Sequence, residues 1–168
     1  KINFDNGSKL YDHFSEAQEF AGDLIFKEME NMYKSKNLDL HLFELGCGTG
    51  SLSKKVTQNY KFKKITLNDI SSNMLKIAKK KLKGSNVKYI KKDFDKIMNF
   101  QKFDLVISNM SLHWSFDIEN LIKVFCASSK KNSHLIFTFP NDLSFRELHD
   151  YKSKIILNTL PNHKNLKK

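Results

Sequence analysis

Three glycines at alternate positions follow Glu44 in this chain: Gly46, Gly48 and Gly50. Glycine lets a backbone turn tightly and approach a ligand without the clash that a Cβ atom would cause. A helix that starts at Ser51 would add the free N–H groups of its first turn and the positive end of its dipole. These residues therefore predict a cradle for a small ligand.

The spacing of the glycines narrows the kind of ligand. A dinucleotide fingerprint has the pattern Gly-x-Gly-x-x-Gly, whose third glycine packs the helix on the strand below the pyrophosphate. Residues 44–50 have instead the pattern Glu-x-Gly-x-Gly-x-Gly. This pattern is not that of a pyrophosphate site. The alternative to a ligand cradle is a glycine-rich turn that binds no ligand.

A second group of residues follows the predicted strand over 63–68. Asp69 comes at its tip, where a nucleoside ribose would need an acceptor for its hydroxyl groups. Ser71 is expected to cap the next helix, which places Met74 in the first turn beside Asp69. Met74 on such a face is most often a core residue, and contact with a base is its second possible use.

A third group follows the predicted strand over 87–90. Asp93 and Phe94 come at the tip of this strand. The carboxylate could hydrogen-bond an adenine amino group, and the aromatic ring could cover one face of the base. The alternative is an ordinary acidic residue after a strand.

The loop over 109–114 follows the fourth predicted strand, 103–108. Ligands of open α/β sheets lie beyond the carboxyl ends of the strands, so this loop is expected to face the reacting group. His113 could act as a general base or be a structural histidine. Trp114 could form a wall of the substrate site or be buried in the core.

The elements that must position these residues alternate between strands and helices. A first strand ends at Leu45, and a fifth is predicted over 133–139. Asp117 is expected to cap the helix between the fourth and fifth strands. The alternation predicts an α/β domain with a parallel sheet built by right-handed crossovers.

Helical spacing also extends over 8–34, before the first strand. The residues expected to form its buried stripe are Leu10, Phe14, Ala17, Ala21, Leu24 and Met32. This helix lies outside the doubly wound core and could cover a pocket. We therefore expect a single domain over 1–168, with a helical cap over 1–36 and an α/β core over 37–168.

Composition limits the function classes. The chain has 168 residues, of which 40% are hydrophobic, and this is enough for one domain with a core. No apolar run has the length of a membrane span, no signal-peptide pattern is found, and Cys47 and Cys126 fit no disulfide or metal spacing. A cytoplasmic protein without a metal is expected. The net charge of +11, carried almost wholly by lysine, favours acidic partners, or else reflects solvated lysine faces.

The stretch from Glu44 to Gly50 resembles motif I of the class I S-adenosylmethionine-dependent methyltransferases, whose loop holds the methionine moiety of the cofactor. Other segments are similar to one family within that class, the malonyl-acyl-carrier-protein O-methyltransferases of early biotin synthesis. These segments are 10–18, 103–109, His113-Trp114, 136–139 and 145–148.

The resemblance implies a doubly wound, Rossmann-like class I methyltransferase fold with strand order 3-2-1-4-5. The family adds a sixth strand and an antiparallel seventh strand after the fifth helix. We expect these two strands to be missing, because the residues after Pro140 are used mostly by that helix.

The resemblance also implies a cofactor, S-adenosyl-L-methionine, with S-adenosyl-L-homocysteine as its product. The glycines would approach the methionine moiety, Asp69 would bind the ribose, and Asp93 would bind the adenine edge. The expected cofactor-binding residues are Glu44, Gly46, Cys47, Gly48, Gly50, Asp69, Ile70, Met74, Asp93, Phe94 and Asn109. The expected substrate-binding residues are Tyr11, His113, Trp114 and Arg146.

Methyl transfer to a carboxylate requires no proton removal, so no catalytic acid or base is predicted. The family's acceptor would be the free carboxylate of an acidic malonyl-acyl carrier protein, which a lysine-rich enzyme would attract. Arg146 could bind that carboxylate through its guanidinium group. No membrane partner is expected.

Three other functions are alternatives to this one. A small carboxylate acceptor such as trans-aconitate is one, and a non-catalytic cofactor-binding assembly factor is another. Nucleic-acid methylation is disfavoured, because residues 109–112 contain neither a proline-rich catalytic tetrapeptide nor a cysteine.

Overall fold

The computed structural model describes residues 15–141 and Ser144, and all the following elements belong to that part of the chain. Its strands are β1 (Asn37–Leu45), β2 (Lys61–Asp69), β3 (Val87–Lys91), β4 (Leu105–Asn109) and β5 (His134–Thr138). Its α-helices are α1 (Glu16–Met32), α2 (Ser51–Asn59), α3 (Ser72–Lys81) and α4 (Ile118–Ser128). Single 3-10 turns are found at Phe94–Lys96 and Leu112–Trp114.

The described strands form one parallel sheet with the order β3-β2-β1-β4-β5, so the predicted fold class and order 3-2-1-4-5 are confirmed. β1 lies at its centre, where Phe43 pairs with Thr66 of β2 and with Val106 of β4. The strand order reverses between β1 and β4. The carboxyl ends around this switch point are the expected place for a ligand.

Hydrophobic cores cover the two faces of the sheet. Leu42 of β1 packs in the cluster that contains Met29 of α1 and Val56 of α2. The next residue, Phe43, packs in the opposite cluster, with Phe125 of α4. Because successive side chains of a strand point to opposite faces, β1 anchors both layers and fixes the position of the loop that follows it.

The predicted helix caps are confirmed. The Ser71 hydroxyl accepts a hydrogen bond from the Met74 N–H at 3.2 Å, and the Asp117 carboxylate accepts one from the Asn120 N–H at 2.9 Å. The fourth strand starts two residues later than predicted. The Phe103 N–H belongs to a turn, in which it donates to the Phe100 carbonyl oxygen at 3.0 Å.

The buried face of α1 differs from the predicted stripe. Ala17 and Leu24 were expected to point inward, but both are exposed, Leu24 by 50%. The apolar residues of α1 are spread over more than one face, so helical spacing alone did not determine which face would be buried. The residues that are buried are Ala21, Gly22, Ile25 and Met29.

Several expectations fall outside the described residues. They concern Tyr11, Arg146, the fifth helix, which was predicted after Pro140, and the strands that would follow it. None of the helices described in the structure combines the length and the apolar character that crossing a bilayer would need.

Candidate functional site

The loop after β1 has the backbone conformation that its glycines predicted. Gly46, Gly48 and Gly50 have φ angles of +64°, +54° and +79°, in the left-handed region that residues with a Cβ atom rarely adopt. A Cβ atom on Gly46 would lie 2.7 Å from the Cβ of Ser111. The backbone at all three positions therefore favours glycine, and the surroundings of Gly46 also leave no space for a Cβ atom.

The last two glycines of the loop have different surroundings. A Cβ atom on Gly50 would lie 3.1 Å from the Cβ of Ala78 and 2.9 Å from the Cδ1 of Leu82, so Gly50 lets α3 pack against the start of α2. A Cβ atom on Gly48 would meet no atom within 4 Å. The backbone at Gly48 is thus exposed to open space, where a ligand can approach it.

That space consists of two adjoining cavities above the strand tips. The larger has a volume of about 340 Å³ and the smaller a volume of about 170 Å³. Gly46, Gly48 and Asn109 line both of them. The cavities therefore form one elongated site that is centred on the glycine loop.

The smaller cavity has apolar walls and two acidic residues. It is lined by Ile70, which lies between β2 and α3, by Met74 of the first turn of α3 and by Phe94 after β3. Asp69 and Asp93 contribute the carboxyl groups. The structure thus brings together the five residues that were predicted from the tips of β2 and β3.

Asp69 connects the tip of β2 to the glycine loop. Its carboxylate accepts the Gly48 N–H and the Ser71 N–H, each at 2.8 Å, and the residue is only 9% exposed. These hydrogen bonds fix the carboxylate at the edge of the smaller cavity. They also hold the backbone of Gly48 in its left-handed turn.

Glu44 lines the larger cavity from the end of β1 and is buried. Burial raises the pKa of its carboxyl group to about 8, and the negative charge of Asp69 adds to this shift, while a hydrogen bond from the Ser53 hydroxyl opposes it. In the absence of a ligand the carboxyl group is therefore mostly protonated at neutral pH. Burial likewise raises the pKa of the neighbouring Cys47 thiol, which stays uncharged.

The loop after β4 carries a strained residue that the sequence did not reveal. Met110 has a φ angle of +47°, although it is not glycine, and its N–H donates to the Thr138 carbonyl oxygen at 2.8 Å. This backbone turns Met110 and Ser111 into the wall of the smaller cavity. Such strain is often found at ligand sites. The sequence predicted that the 109–114 loop lies at the site, but no pattern in it signalled the positive φ angle of Met110.

Asn109 lies beside both cavities, but its amide group is bound to the protein. The Nδ2 atom donates to the Gln18 carbonyl oxygen of α1 at 2.8 Å, and Oδ1 accepts the Thr138 hydroxyl at 2.6 Å. Asn109 therefore joins α1 to the tips of β4 and β5.

Trp114 and His113 occupy different environments, although they are neighbours. Trp114 is 62% exposed and lines the smaller cavity. The alternative prediction, that Trp114 is buried in the core, is therefore wrong. His113 is not among the residues that line the two cavities. Its Nδ1 atom is buried without a hydrogen-bond partner among the described residues, and burial lowers the pKa of the ring. His113 is thus an uncharged histidine outside the cavities.

Helix α1 forms the outer wall of the larger cavity. We predicted that the N-terminal helix could cover a pocket, but not which residues of α1 would line it. The signal in the sequence is a set of polar residues at helical spacing, which indicates that one face of α1 borders the ligand site. The residues of α1 and its N-cap that line the cavity are Ser15, Gln18, Glu19, Gly22 and Asp23.

The sheet order, the glycine loop after β1 and the acidic residues at the tips of β2 and β3 together define a class I methyltransferase fold. A family model described as a methyltransferase domain matches residues 42–131, which is more than half of the chain. The chain therefore belongs to the methyltransferase domain family.

Individual relatives agree with this assignment. Over 150 residues the chain is 31% identical to a malonyl-[acyl-carrier protein] O-methyltransferase of Priestia megaterium, covering 89% of this chain and 54% of the relative. It is 34% identical over 116 residues to malonyl-[acyl-carrier protein] O-methyltransferase 1 of Ilyobacter polytropus, covering 68% of this chain and 42% of the relative. The chain thus spans about half the length of these curated relatives.

A solved structure matches the same fold. It is a crystal structure described as that of an S-adenosylmethionine dependent methyltransferase from Listeria monocytogenes. The match has a TM-score of 0.62 and 25% sequence identity, and it covers 76% of this chain and 56% of the other.

Proposed function

We propose that the joined cavities bind S-adenosylmethionine and that the protein transfers the methyl group of this cofactor to a carboxylate oxygen. The observation that carries the proposal is the continuous site around Gly48, where the backbone faces open space between a cavity with many polar side chains and a more apolar one. The family membership and the cofactor named for the Listeria protein support the same cofactor.

The residues of the two cavities fit the two ends of such a cofactor. The adenosine end would lie in the smaller cavity, between the apolar side chains of Met74 and Phe94 and beside the carboxylates of Asp69 and Asp93. The amino-acid end would lie in the larger cavity, between Glu44 and the polar residues of α1. The glycine loop lies where the two parts of the cofactor join.

The cofactor supplies, when bound, a methyl group on a sulfonium sulfur that an oxygen nucleophile can attack in line. A carboxylate acceptor is already ionised at neutral pH, so the protein needs no general base. Its residues would act by holding the two reactants in line and by excluding water. The position of His113 outside both cavities agrees with this division of roles.

For the acceptor, we propose the malonyl group on an acyl carrier protein. The support is the named activity of relatives that cover most of this chain. The positive net charge of +11 would favour a negatively charged carrier. The roles of Trp114 as a substrate wall and of Tyr11 and Arg146 as substrate contacts belong to this proposal.

Cofactor binding is tested by calorimetry with S-adenosylhomocysteine and, for comparison, NADH. We expect heat of binding from the first compound and none from the second. Asp69→Asn should weaken binding, because a neutral amide is a poorer partner for ribose hydroxyls and for the Gly48 N–H. Asp39→Asn is the matched control, since Asp39 is an exposed residue paired with Lys63 at 3.0 Å outside the cavities. Binding of NADH in place of S-adenosylhomocysteine would refute the proposal.

Methyl transfer is tested with labelled S-adenosylmethionine and two acceptors, malonyl-acyl carrier protein and trans-aconitate. Label on the carrier protein is the expected result. Label on trans-aconitate alone would assign a small-molecule acceptor. Tight cofactor binding without transfer to either acceptor would favour a non-catalytic assembly role.

A further inference from the structure

The side chain of Gln18 presents a buried polar atom that nothing in the described structure satisfies. Gln18 belongs to α1 and lines the larger cavity, and its amide oxygen Oε1 is buried without a hydrogen-bond partner. Buried amide oxygens are nearly always hydrogen-bonded, because an unpaired one loses its hydrogen bonds to water without replacement. A donor from a bound ligand would remove this cost.

The surroundings of Gln18 favour a ligand donor that carries positive charge. Glu19 and Asp23 line the same cavity from α1. Among the described residues of this lining, Lys55 is the cation, and it is paired with Asp23. The cavity thus offers more acceptors and acidic groups than cations, which suits an ammonium group.

The backbone of Gln18 is also held in place before any ligand binds. Its carbonyl oxygen accepts the Asn109 amide N–H at 2.8 Å, and Asn109 in turn accepts the Thr138 hydroxyl at 2.6 Å. The residue is therefore tied to the tips of β4 and β5. Such preorganisation reduces the entropy that binding would otherwise lose.

We propose that Gln18 is a specificity residue that recognises the amino-acid end of the methyl donor. Its amide oxygen accepts a hydrogen bond from the α-ammonium group, which has three N–H donors and no acceptor. Helix α1 thereby distinguishes a donor with an intact amino acid from nucleosides that lack one. This assignment rests on the proposed function, because it requires that the larger cavity hold the amino-acid end of the cofactor.

Two ligands separate recognition of the amino acid from recognition of the nucleoside. S-adenosylhomocysteine carries both parts, whereas 5′-methylthioadenosine lacks the amino acid. Calorimetry on Gln18→Leu should show S-adenosylhomocysteine binding weakened by about 10- to 100-fold, the range for losing a hydrogen bond to a charged group. Binding of 5′-methylthioadenosine should be unchanged, which also shows that the variant is folded.

A second variant tests the chemistry of the contact. Gln18→Glu keeps an oxygen acceptor in the same place, so it should retain most of the S-adenosylhomocysteine affinity that Gln18→Leu loses. Gln58→Leu is the matched control, because Gln58 is an exposed glutamine of α2 that lines neither cavity. This control should bind both ligands as the unsubstituted protein does.

Three results would overturn the assignment. Unchanged S-adenosylhomocysteine binding in Gln18→Leu would show that the residue makes no contact with the ligand. Equal weakening of both ligands would indicate a structural effect. Loss in Gln18→Glu as large as in Gln18→Leu would mean that the amide nitrogen donates to the carboxylate of the ligand instead. Failure of the unsubstituted protein to bind S-adenosylhomocysteine would refute the proposed function itself.

Discussion

Glu44 is the residue at which the ligand site and protein stability are most directly connected. Its carboxyl group is buried with a pKa of about 8, compared with an ordinary value of 4.5. The folded protein therefore binds a proton at pH values where the unfolded chain has released it. In the pH range between these two pKa values, the free energy of unfolding should fall as the pH rises.

A comparison with Glu44→Gln tests this pH dependence. The substituted amide is neutral at every pH. The variant should therefore lack the contribution of Glu44 to the slope of the free energy of unfolding against pH. Relative to the unsubstituted protein, the variant should gain on the order of a few kcal/mol of stability between about pH 5 and about pH 8. Urea denaturation of both proteins across this range measures the difference. Parallel pH curves would show that Glu44 is ionised in the folded protein.

The glycine loop contains two positions whose substitution should have different effects. Gly50→Ala combines a strained φ angle of +79° with contacts of 3.1 Å or less to Ala78 and Leu82. The expected loss of stability is about 2–4 kcal/mol. Gly48→Ala has strain without crowding, so about 1–2 kcal/mol is expected.

For ligand affinity we expect the opposite order, with the larger effect in Gly48→Ala. The new methyl group of Gly48→Ala would project into the cavity, so this variant should lose more S-adenosylhomocysteine affinity per unit of stability lost. Urea denaturation and calorimetry on each protein provide the comparison. Equal stability losses in both variants would contradict the packing role of Gly50.

At the scale of the element, Asn109 hydrogen-bonds α1 to the sheet. Asn109→Asp keeps the shape of the side chain but removes the Nδ2 donor to the Gln18 carbonyl oxygen. We expect the free energy of local unfolding of α1 to fall by about 1–3 kcal/mol, so this helix should open more often. Hydrogen exchange should accelerate across Glu16–Met32, while exchange in β1 stays slow.

The matched control for this substitution is Asn59→Asp. The amide of Asn59 also donates to a backbone carbonyl oxygen, that of Lys55 at 2.9 Å, but at an exposed site. It should therefore leave exchange in α1 unchanged. If both variants left α1 protected, packing of Ile25 and Met29 alone would explain the position of this helix.

The elements also differ in how far their sequences predicted them. The loop after β1 was predictable because its positive φ angles favour glycine, and the caps at Ser71 and Asp117 were predictable from local hydrogen bonding. The buried face of α1 was not, because Phe20 and Leu24 are exposed apolar residues of the same helix. The turn at Met110 was not predictable either, since its strain is maintained by β5, which lies far along the chain.

At the scale of the whole molecule, two cavities differ in the charged residues that line them. Helix α1 contributes Glu19 and Asp23 to the ligand site. Another groove, of about 530 Å³ between α2 and α3, has lysines and no acidic residue in its described lining. The lysines are Lys54, Lys61, Lys81 and Lys83. The sequence predicted the excess of positive charge, but only the folded chain gives it this distribution.

This charge leads to a prediction about the acceptor. If an acidic acyl carrier protein is the substrate, the excess of lysine should accelerate its approach, and salt should screen that attraction. The KM for malonyl-acyl carrier protein should rise by about 10-fold or more between about 50 mM and about 500 mM salt. Malonyl-pantetheine, which carries the same malonyl group without the carrier, should show a much smaller change.

The two substrates share the chemistry of the reacting carboxylate, so a difference in salt dependence isolates the contribution of the carrier protein. The dissociation constant of S-adenosylhomocysteine, measured in the same buffers, should vary little, because the ligand is bound inside cavities where salt screens weakly. Equal salt dependence for both acceptors would mean that the excess of positive charge does not guide the carrier. A strong salt effect on the carrier alone would show that the net charge of the molecule contributes to the choice of acceptor, in addition to the residues of the cavities.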